Sequence, residues 1–312
     1  MVTGRTGPLR LGLIGAGRWG LNYIRTIAQL DSVKLVALTG RSPEAAAAAG
    51  PECAVLADWR ALLEFPRLDG VIVSTPAETH FEIASAALGR RLPTLVEKPL
   101  TTRPEEARRL AELALAGDTP LLTDHVYLFH PGYRALRARL AGQRVRGVVG
   151  VAGNAGPRRP DVSVLWDWGP HDVAMCLDLL AAPPTTCRLL VEPGRTAAGE
   201  AGESIALSLE FEGGVSAELR MSNLLATRTR VLTVRTDAET LVFEDGPVSS
   251  LTVTPLAAAG ERLSIEFSSR RPLAVAVGEF ADAIRDGHCD AAAINLALAV
   301  VEVLARCEAS AS

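Results

Sequence analysis

The chain has 312 residues and a formal net charge of −4, with 48% apolar and 22% charged residues. That length suggests about two domains with sizeable cores, and the composition excludes a chain that is mostly disordered. The acidic balance argues against nucleic acid as a partner. Five cysteines (53, 176, 187, 289 and 307), scattered and never in a C-x-x-C, exclude a disulfide scaffold and argue against a structural zinc, so no metal is expected.

The first apolar run, Leu9 to Gly17, is short, interrupted by glycines and followed by no cleavage pattern. No later stretch reaches about 18 uncharged apolar residues, so neither a signal peptide nor a transmembrane helix is expected, and the location expected is cytoplasmic. Leu9–Ile14 reads as a buried strand, and Arg18–Leu30 has helical spacing. Val33–Thr39 is a second strand. Pro43–Ala49 is a helix with Ser42 as its N-cap and Gly50 as its stop. A short helix over Asp58–Phe65 precedes strand Val71–Ser74, helix Thr79–Leu88, strand Thr94–Val96, helix Arg103–Ala116 and strand Leu121–Thr123. Alternating strands and helices with short connections imply parallel pairing and right-handed crossovers, so residues 1–122 are expected to form a doubly wound Rossmann α/β domain.

Residues 123–312 read as an α+β domain with an open, mostly antiparallel sheet. Helices are expected at Pro131–Leu140 and Pro170–Leu180, with residues 181–203 as a loop or irregular edge. Strands follow at Ser204–Phe211, Val215–Ser222, Arg230–Thr236 and Thr240–Phe243, with a hairpin turn at Gly213–Gly214. Leu273–Arg285 and Ala291–Cys307 close the chain as helices.

Five motifs carry chemistry. Gly15-Ala16-Gly17-Arg18-Trp19-Gly20 follows a strand and opens a helix, where glycines allow a tight turn and close approach of a dinucleotide pyrophosphate. About 20 residues further on, where an acid would hold the ribose of NAD, stands Gly40. Thr39, Arg41 and Ser42 around it suit a 2′-phosphate, favouring NADP over NAD, unless Arg41 stacks on the adenine or is a solvated loop residue. Ser74, Thr75, Pro76 and His80 follow the third strand at its ligand-facing end, in what also reads as an ordinary capping turn. Glu97 and Lys98 end the next strand. Only two of the 32 basic residues are lysines, which makes Lys98 informative, although most lysines are surface ion-pair partners. In Trp166-Asp167-Trp168-Gly169-Pro170-His171-Asp172, Pro170 suits a first helical turn. Asp167 would lie just before it, next to an acid/base candidate, His171, with a structural capped histidine as the competing reading.

Together the segments GLIGAGRWG (12–20), DGVIVSTPAETH (69–80), VEKPL (96–100), DHVYLFHPGYRALR (124–137), VLWDWGPHDVAMCLDLL (164–180) and GEFADAIRDG (278–287) resemble the Gfo/Idh/MocA family of oxidoreductases. The resemblance implies a Rossmann domain followed by a substrate and oligomerisation domain whose sheet forms homodimers or homotetramers. It implies Lys98, Asp167 and His171 as the catalytic set, and hydride exchange between NADP or NAD and a sugar, nucleotide-sugar or cyclitol carbinol. His125, Tyr127, Asn154, Arg158 and Trp166 are pocket candidates that are as readily structural. Two other readings stay open: an enzyme that keeps its nicotinamide bound for epimerisation or elimination, and a non-catalytic NADP-binding sensor on the same fold.

Overall fold

The computed structural model describes residues 7–155, 162–196, 199–257 and 261–311. The chain forms two compact units, Met1–Val126 with Arg271–Val301, and Tyr127–Arg270 with Glu302–Ser312.

The first unit is built on six parallel strands: β1 (Leu9–Ile14), β2 (Val33–Thr39), β3 (Ala54–Leu56), β4 (Gly70–Val73), β5 (Thr94–Glu97) and β6 (Leu121–Asp124). Their order is β3-β2-β1-β4-β5-β6, the doubly wound order, whose switch point lies between the neighbours β1 and β4 at the strand carboxyl ends. β1, β4 and β5 are almost wholly buried, as expected of central parallel strands covered on both faces. β3 escaped the sequence reading because it is three residues long and partly exposed.

Five helices link these strands: α1 (Gly20–Ile27), α2 (Pro43–Ala49), α3 (Trp59–Leu63), α4 (His80–Leu88) and α5 (Pro104–Gly117). Their starts follow local chemistry. The Ser42 hydroxyl accepts from the Ala45 N–H, and the Asp58 carboxylate accepts from the amides of Arg60 and Ala61. One core joins Leu11, Leu13, Tyr23, Ile24 and Leu38 to Val277 and Phe280, which come from a helix late in the chain.

The second unit contains α6 (Pro131–Arg139), β7 (Val145–Ala155), α7 (Val164–Leu180), β8 (Thr186–Arg195), β9 (Ala201–Glu210), β10 (Ser216–Ser222), β11 (Leu224–Thr236), β12 (Glu239–Glu244), β13 (Ser250–Pro255) and β14 (Leu263–Ser264). Two helices close the chain, α8 (Pro272–Asp286) and α9 (Ala291–Ala309). The sheet order is β14-β13-β12-β11-β7-β10-β9-β8. Only β7 and β10 run parallel; the rest is antiparallel, and β9–β10 is the hairpin expected around Gly213–Gly214. Among the described residues no helix is long and apolar enough to cross a membrane, and no group of three or more His, Cys, Asp or Glu is placed to hold a metal ion.

One expectation is resolved and one corrected. Residues 181–203 are the edge and not the loop of the two alternatives: most of them form β8, an outer strand of the sheet, and the start of β9. β8 lies at the sheet edge and buries only Leu189 fully, so it needs little apolar alternation and gives a weak signal. The helix expected at Pro170 begins at Val164, where the Ser163 hydroxyl caps it by accepting from the Trp166 N–H at 3.5 Å. Pro170 lies inside α7, where it removes one backbone donor rather than opening the helix.

Candidate active site

The turn between β1 and α1 is a backbone cradle. Gly15 has φ +98°, and a Cβ there would stand 2.6 Å from the Ser74 carbonyl oxygen; a Cβ on Gly20 would stand 2.2 Å from the Gly15 carbonyl oxygen. These two contacts close the turn against the end of β4. A Cβ on Gly17 meets nothing within 4 Å, and Gly17, Arg18 and Trp19 are exposed at the start of α1. The Thr39 hydroxyl accepts from the Gly15 N–H at 3.2 Å, so it braces this turn. Arg41 is exposed just beyond β2, and Ser42 is committed to capping α2.

At the end of β4, the Ser74 hydroxyl is buried with no hydrogen-bond partner. Thr75 is half-buried and Pro76 exposed. His80 is 1% exposed, and both its ring nitrogens lie 2.9 Å from backbone carbonyls, those of Pro99 and Thr75. It therefore pins the loop after β4 to the segment after β5, and its contribution to a ligand site is through that loop. An open face at Gly17, amides at a helix N-terminus and an unspent serine hydroxyl fit a dinucleotide.

Glu97 and Asp124 are register partners at the ends of β5 and β6. The Tyr23 hydroxyl, from α1, lies 2.8 Å from Glu97 Oε1 and 2.5 Å from Asp124 Oδ2. The Trp19 indole N–H also donates to Glu97 Oε1. Burial, then the adjacent Asp124 charge, pushes the Glu97 carboxyl up to about 8. Burial pushes Asp124 up to about 6. Lys98 is half-buried beside them, and the Lys98–Pro99 peptide is cis. His125, 3% exposed, has no hydrogen-bond partner on either ring nitrogen; burial, then the Lys98 charge, pushes it down to about 3.

In the second unit, Asp167 and His171 are four residues apart on α7 and so share one helical face, both half-buried. The Tyr127 ring meets the His171 ring edge-on, with centroids 5.2 Å apart at 81°. The Tyr127 hydroxyl lies 3.1 Å from Asp245 Oδ2 and accepts from Arg228 at 3.2 Å. Arg230, 2% exposed, donates to Asp172 at 2.9 Å and sits 4.0 Å over the Tyr127 ring and 5.6 Å from the Trp168 ring.

Of the pocket candidates, Tyr127 is thus beside His171. Trp166 is not a surface of this cluster: it is 6% exposed and its indole N–H donates to Glu308 on α9. Asn154 is half-buried near the end of β7, and Arg158 lies outside the described residues. Sequence reasoning missed Tyr23, Asp124 and Arg230. An acid directly after the apolar run Leu121–Thr123 was the available signal for Asp124; Tyr23 and Arg230 were hidden in a helix face and a strand.

A family model described as "Oxidoreductase family, NAD-binding Rossmann fold" matches residues 9–124. An inositol 2-dehydrogenase of Saccharopolyspora erythraea is 33% identical over 182 residues, covering 55% of this chain and 54% of that protein. One from Leifsonia xyli is 36% identical over 140 residues, 42% of this chain and 40% of that protein, so this chain spans about half or less of these curated relatives. A UDP-N-acetylglucosamine 3-dehydrogenase structure from Acidithiobacillus ferrooxidans has a TM-score of 0.80 at 25% identity, covering 97% of this chain and 98% of that one. A Magnetospirillum magnetotacticum crystal structure, assigned provisionally as an oxidoreductase, has a TM-score of 0.85 at 37% identity, covering 96% and 99%.

Proposed function

The chain belongs to the Gfo/Idh/MocA oxidoreductase family, and from that premise we propose that it interconverts a secondary alcohol and a ketone on a sugar, nucleotide-linked sugar or cyclitol, using NADP or NAD. One observation carries the reading. At the carboxyl ends of β1, β4 and β5, in a β3-β2-β1-β4-β5-β6 sheet, stand a glycine cradle, an unbonded serine hydroxyl and the Glu97-Lys98 pair. Ligands of such sheets bind there.

Gly15, Gly17, Arg18, Trp19 and Gly20 would hold the pyrophosphate, Arg41 the adenosine end, and Ser74, Thr75, Pro76 and Glu97-Lys98 the nicotinamide end. Thr39, Ser42 and His80 shape these loops. When bound, the nicotinamide supplies the carbon that takes or gives the hydride. Lys98 donates a hydrogen bond to the reacting oxygen and stabilises negative charge developing on it. His171 takes the hydroxyl proton in oxidation and returns it in reduction. Asp167, one turn earlier on the same face of α7, orients that imidazole. NADP is preferred because residue 40 carries no acid and Arg41 offers a cation.

The test is reduction of NADP and NAD in the presence of inositol and of UDP-N-acetylglucosamine, followed by nicotinamide absorbance over many turnovers. Accumulation of reduced cofactor is expected with one of these classes. A modified sugar with no net reduction would mark transient oxidation with retained cofactor instead. Failure to bind either dinucleotide would overturn the proposal.

A further inference from the structure

We propose that Tyr23, Glu97 and Asp124 hold one proton between the two carboxyls and so present a single negative charge to Lys98, making Tyr23 and Asp124 positioning residues for the reaction. The consequence for turnover rests on the oxidoreductase reading above; the proton count does not.

The count comes from the geometry. Tyr23, Glu97 and Asp124 are 0%, 7% and 1% exposed, so bulk water does not reach their contacts. The phenol carries one hydrogen, yet its oxygen lies within hydrogen-bonding distance of both carboxyls, at 2.8 and 2.5 Å. Ionised carboxylates only accept. Both contacts are full two-centre hydrogen bonds when one carboxyl is protonated and donates to the phenol oxygen, while the phenol donates to the other. With both carboxyls ionised, one short buried O···O contact would set lone pair against lone pair, beside a second like charge on the neighbouring strand. The upward displacement of both carboxyls by burial agrees with the count, and the proton belongs to the pair rather than to either residue.

Lys98 feels this pair directly: its charge opposes the rise of both carboxyls. Lys98 also acts on His80 at the start of α4 and on His125 after β6. Burial pushes both down, and His125, at about 3, is uncharged at pH 7. The acid pair therefore contributes the negative charge that the ends of β5 and β6 present to Lys98. When the shared proton leaves at alkaline pH, a second negative charge appears beside the ammonium and offsets more of its charge, so it stabilises an oxygen gaining charge less well.

Two readouts test this. In infrared difference spectra at pH 7, without substrate or dinucleotide, the wild type minus the Glu97→Gln/Asp124→Asn double variant should show one buried protonated-carboxyl C=O stretch. Tyr23→Phe, which keeps the ring and removes the hydroxyl, should shift that band. A wild type lacking the band overturns the proposal. In turnover, the wild-type kcat should fall on the alkaline side, and Asp124→Asn, which cannot take the second charge, should lose that falling limb. An Asp124→Asn profile parallel to wild type, lowered equally at every pH, would show a merely structural role and also overturn it. If no alcohol is oxidised at all, the oxidoreductase reading fails while the infrared band still decides the proton count.

Discussion

Gly40 lies directly against Ala16: a Cβ on residue 40, whose φ is +153°, would stand 2.8 Å from the Ala16 Cβ. The place where an acid would hold a ribose is thus closed by packing against the glycine cradle itself. Arg41 next to it is exposed. Arg41→Ala should weaken NADP binding by about 10- to 100-fold, the loss of a charge-assisted hydrogen bond, and leave NAD binding within about twofold. Fluorescence titration of both dinucleotides checks this. Equal losses for the two would mean that Arg41 stacks on the adenine.

Two glycines of the same turn should respond in opposite ways. A methyl group at residue 17 meets no protein atom within 4 Å, whereas at residue 20 it would stand 2.2 Å from the Gly15 carbonyl oxygen. Gly17→Ala should keep the melting temperature of the free protein and lose dinucleotide affinity. Gly20→Ala should lower the melting temperature by several degrees even without ligand, since the clash is with backbone and cannot be relieved by a side-chain rotation. A Gly17→Ala protein that binds NADP normally would remove the pyrophosphate from this turn.

Lys98→Ala should lower kcat/KM by about 10²- to 10⁴-fold, as expected for loss of a group acting on the reacting oxygen, with dinucleotide affinity changed only a few-fold. Parallel kinetic and binding measurements separate these effects. A sensor on this fold would have no turnover to lose and would keep its dinucleotide.

The first unit was legible in the sequence because its signals are local. Apolar runs such as Leu9–Ile14 and Val33–Thr39, the cap at Ser42 and the stop at Gly50 each fix an element without reference to distant residues. The second unit was less so. β7 carries glycines at 147, 150 and 153, which blur a strand pattern, yet it lies in the interior of the sheet between β11 and β10. In the candidate site, sequence separates residue types but not what their polar atoms are spent on. Thr39 and Trp166 look like ligand-facing groups and are spent on other residues of the chain, whereas Tyr23 looks like a core aromatic and bridges two carboxyls. Those assignments depend on contacts between residues 24 to 142 positions apart, such as Gly15 with Thr39 and Trp166 with Glu308, which no periodicity encodes.

The Asp172–Arg230 pair is buried on both sides, at 2% and 1% side-chain exposure. Removing one partner leaves an uncompensated charge in the interior. Asp172→Ala should therefore cost about 3–5 kcal/mol, while Asp172→Leu with Arg230→Met should recover most of that loss. Urea unfolding monitored by circular dichroism measures both. A single variant within about 1 kcal/mol of wild type would show that water reaches this pair.

Stability should fall with rising pH between about 6.5 and 8. Glu97 is raised from 4.5 to about 8 in the folded chain, so over that range the native state keeps a proton that the unfolded chain has released. The unfolded state then binds fewer protons than the native one, and the slope of unfolding free energy against pH is negative, at most about 1.4 kcal/mol per pH unit for one proton. Asp124 acts with the same sign between 3.8 and about 6. His125 acts with the opposite sign: its depression from 6.5 to about 3 means that the unfolded chain takes up a proton as pH drops below 6.5, so stability falls on acidification there. Below 6.5 these contributions oppose one another, and above it the Glu97 contribution stands clear of His125. Denaturant titrations at pH 6.5, 7.2 and 8 (values chosen to span roughly this window) should show the decline in wild type and its loss in Glu97→Gln. A decline that persists unchanged in that variant would assign it to other groups.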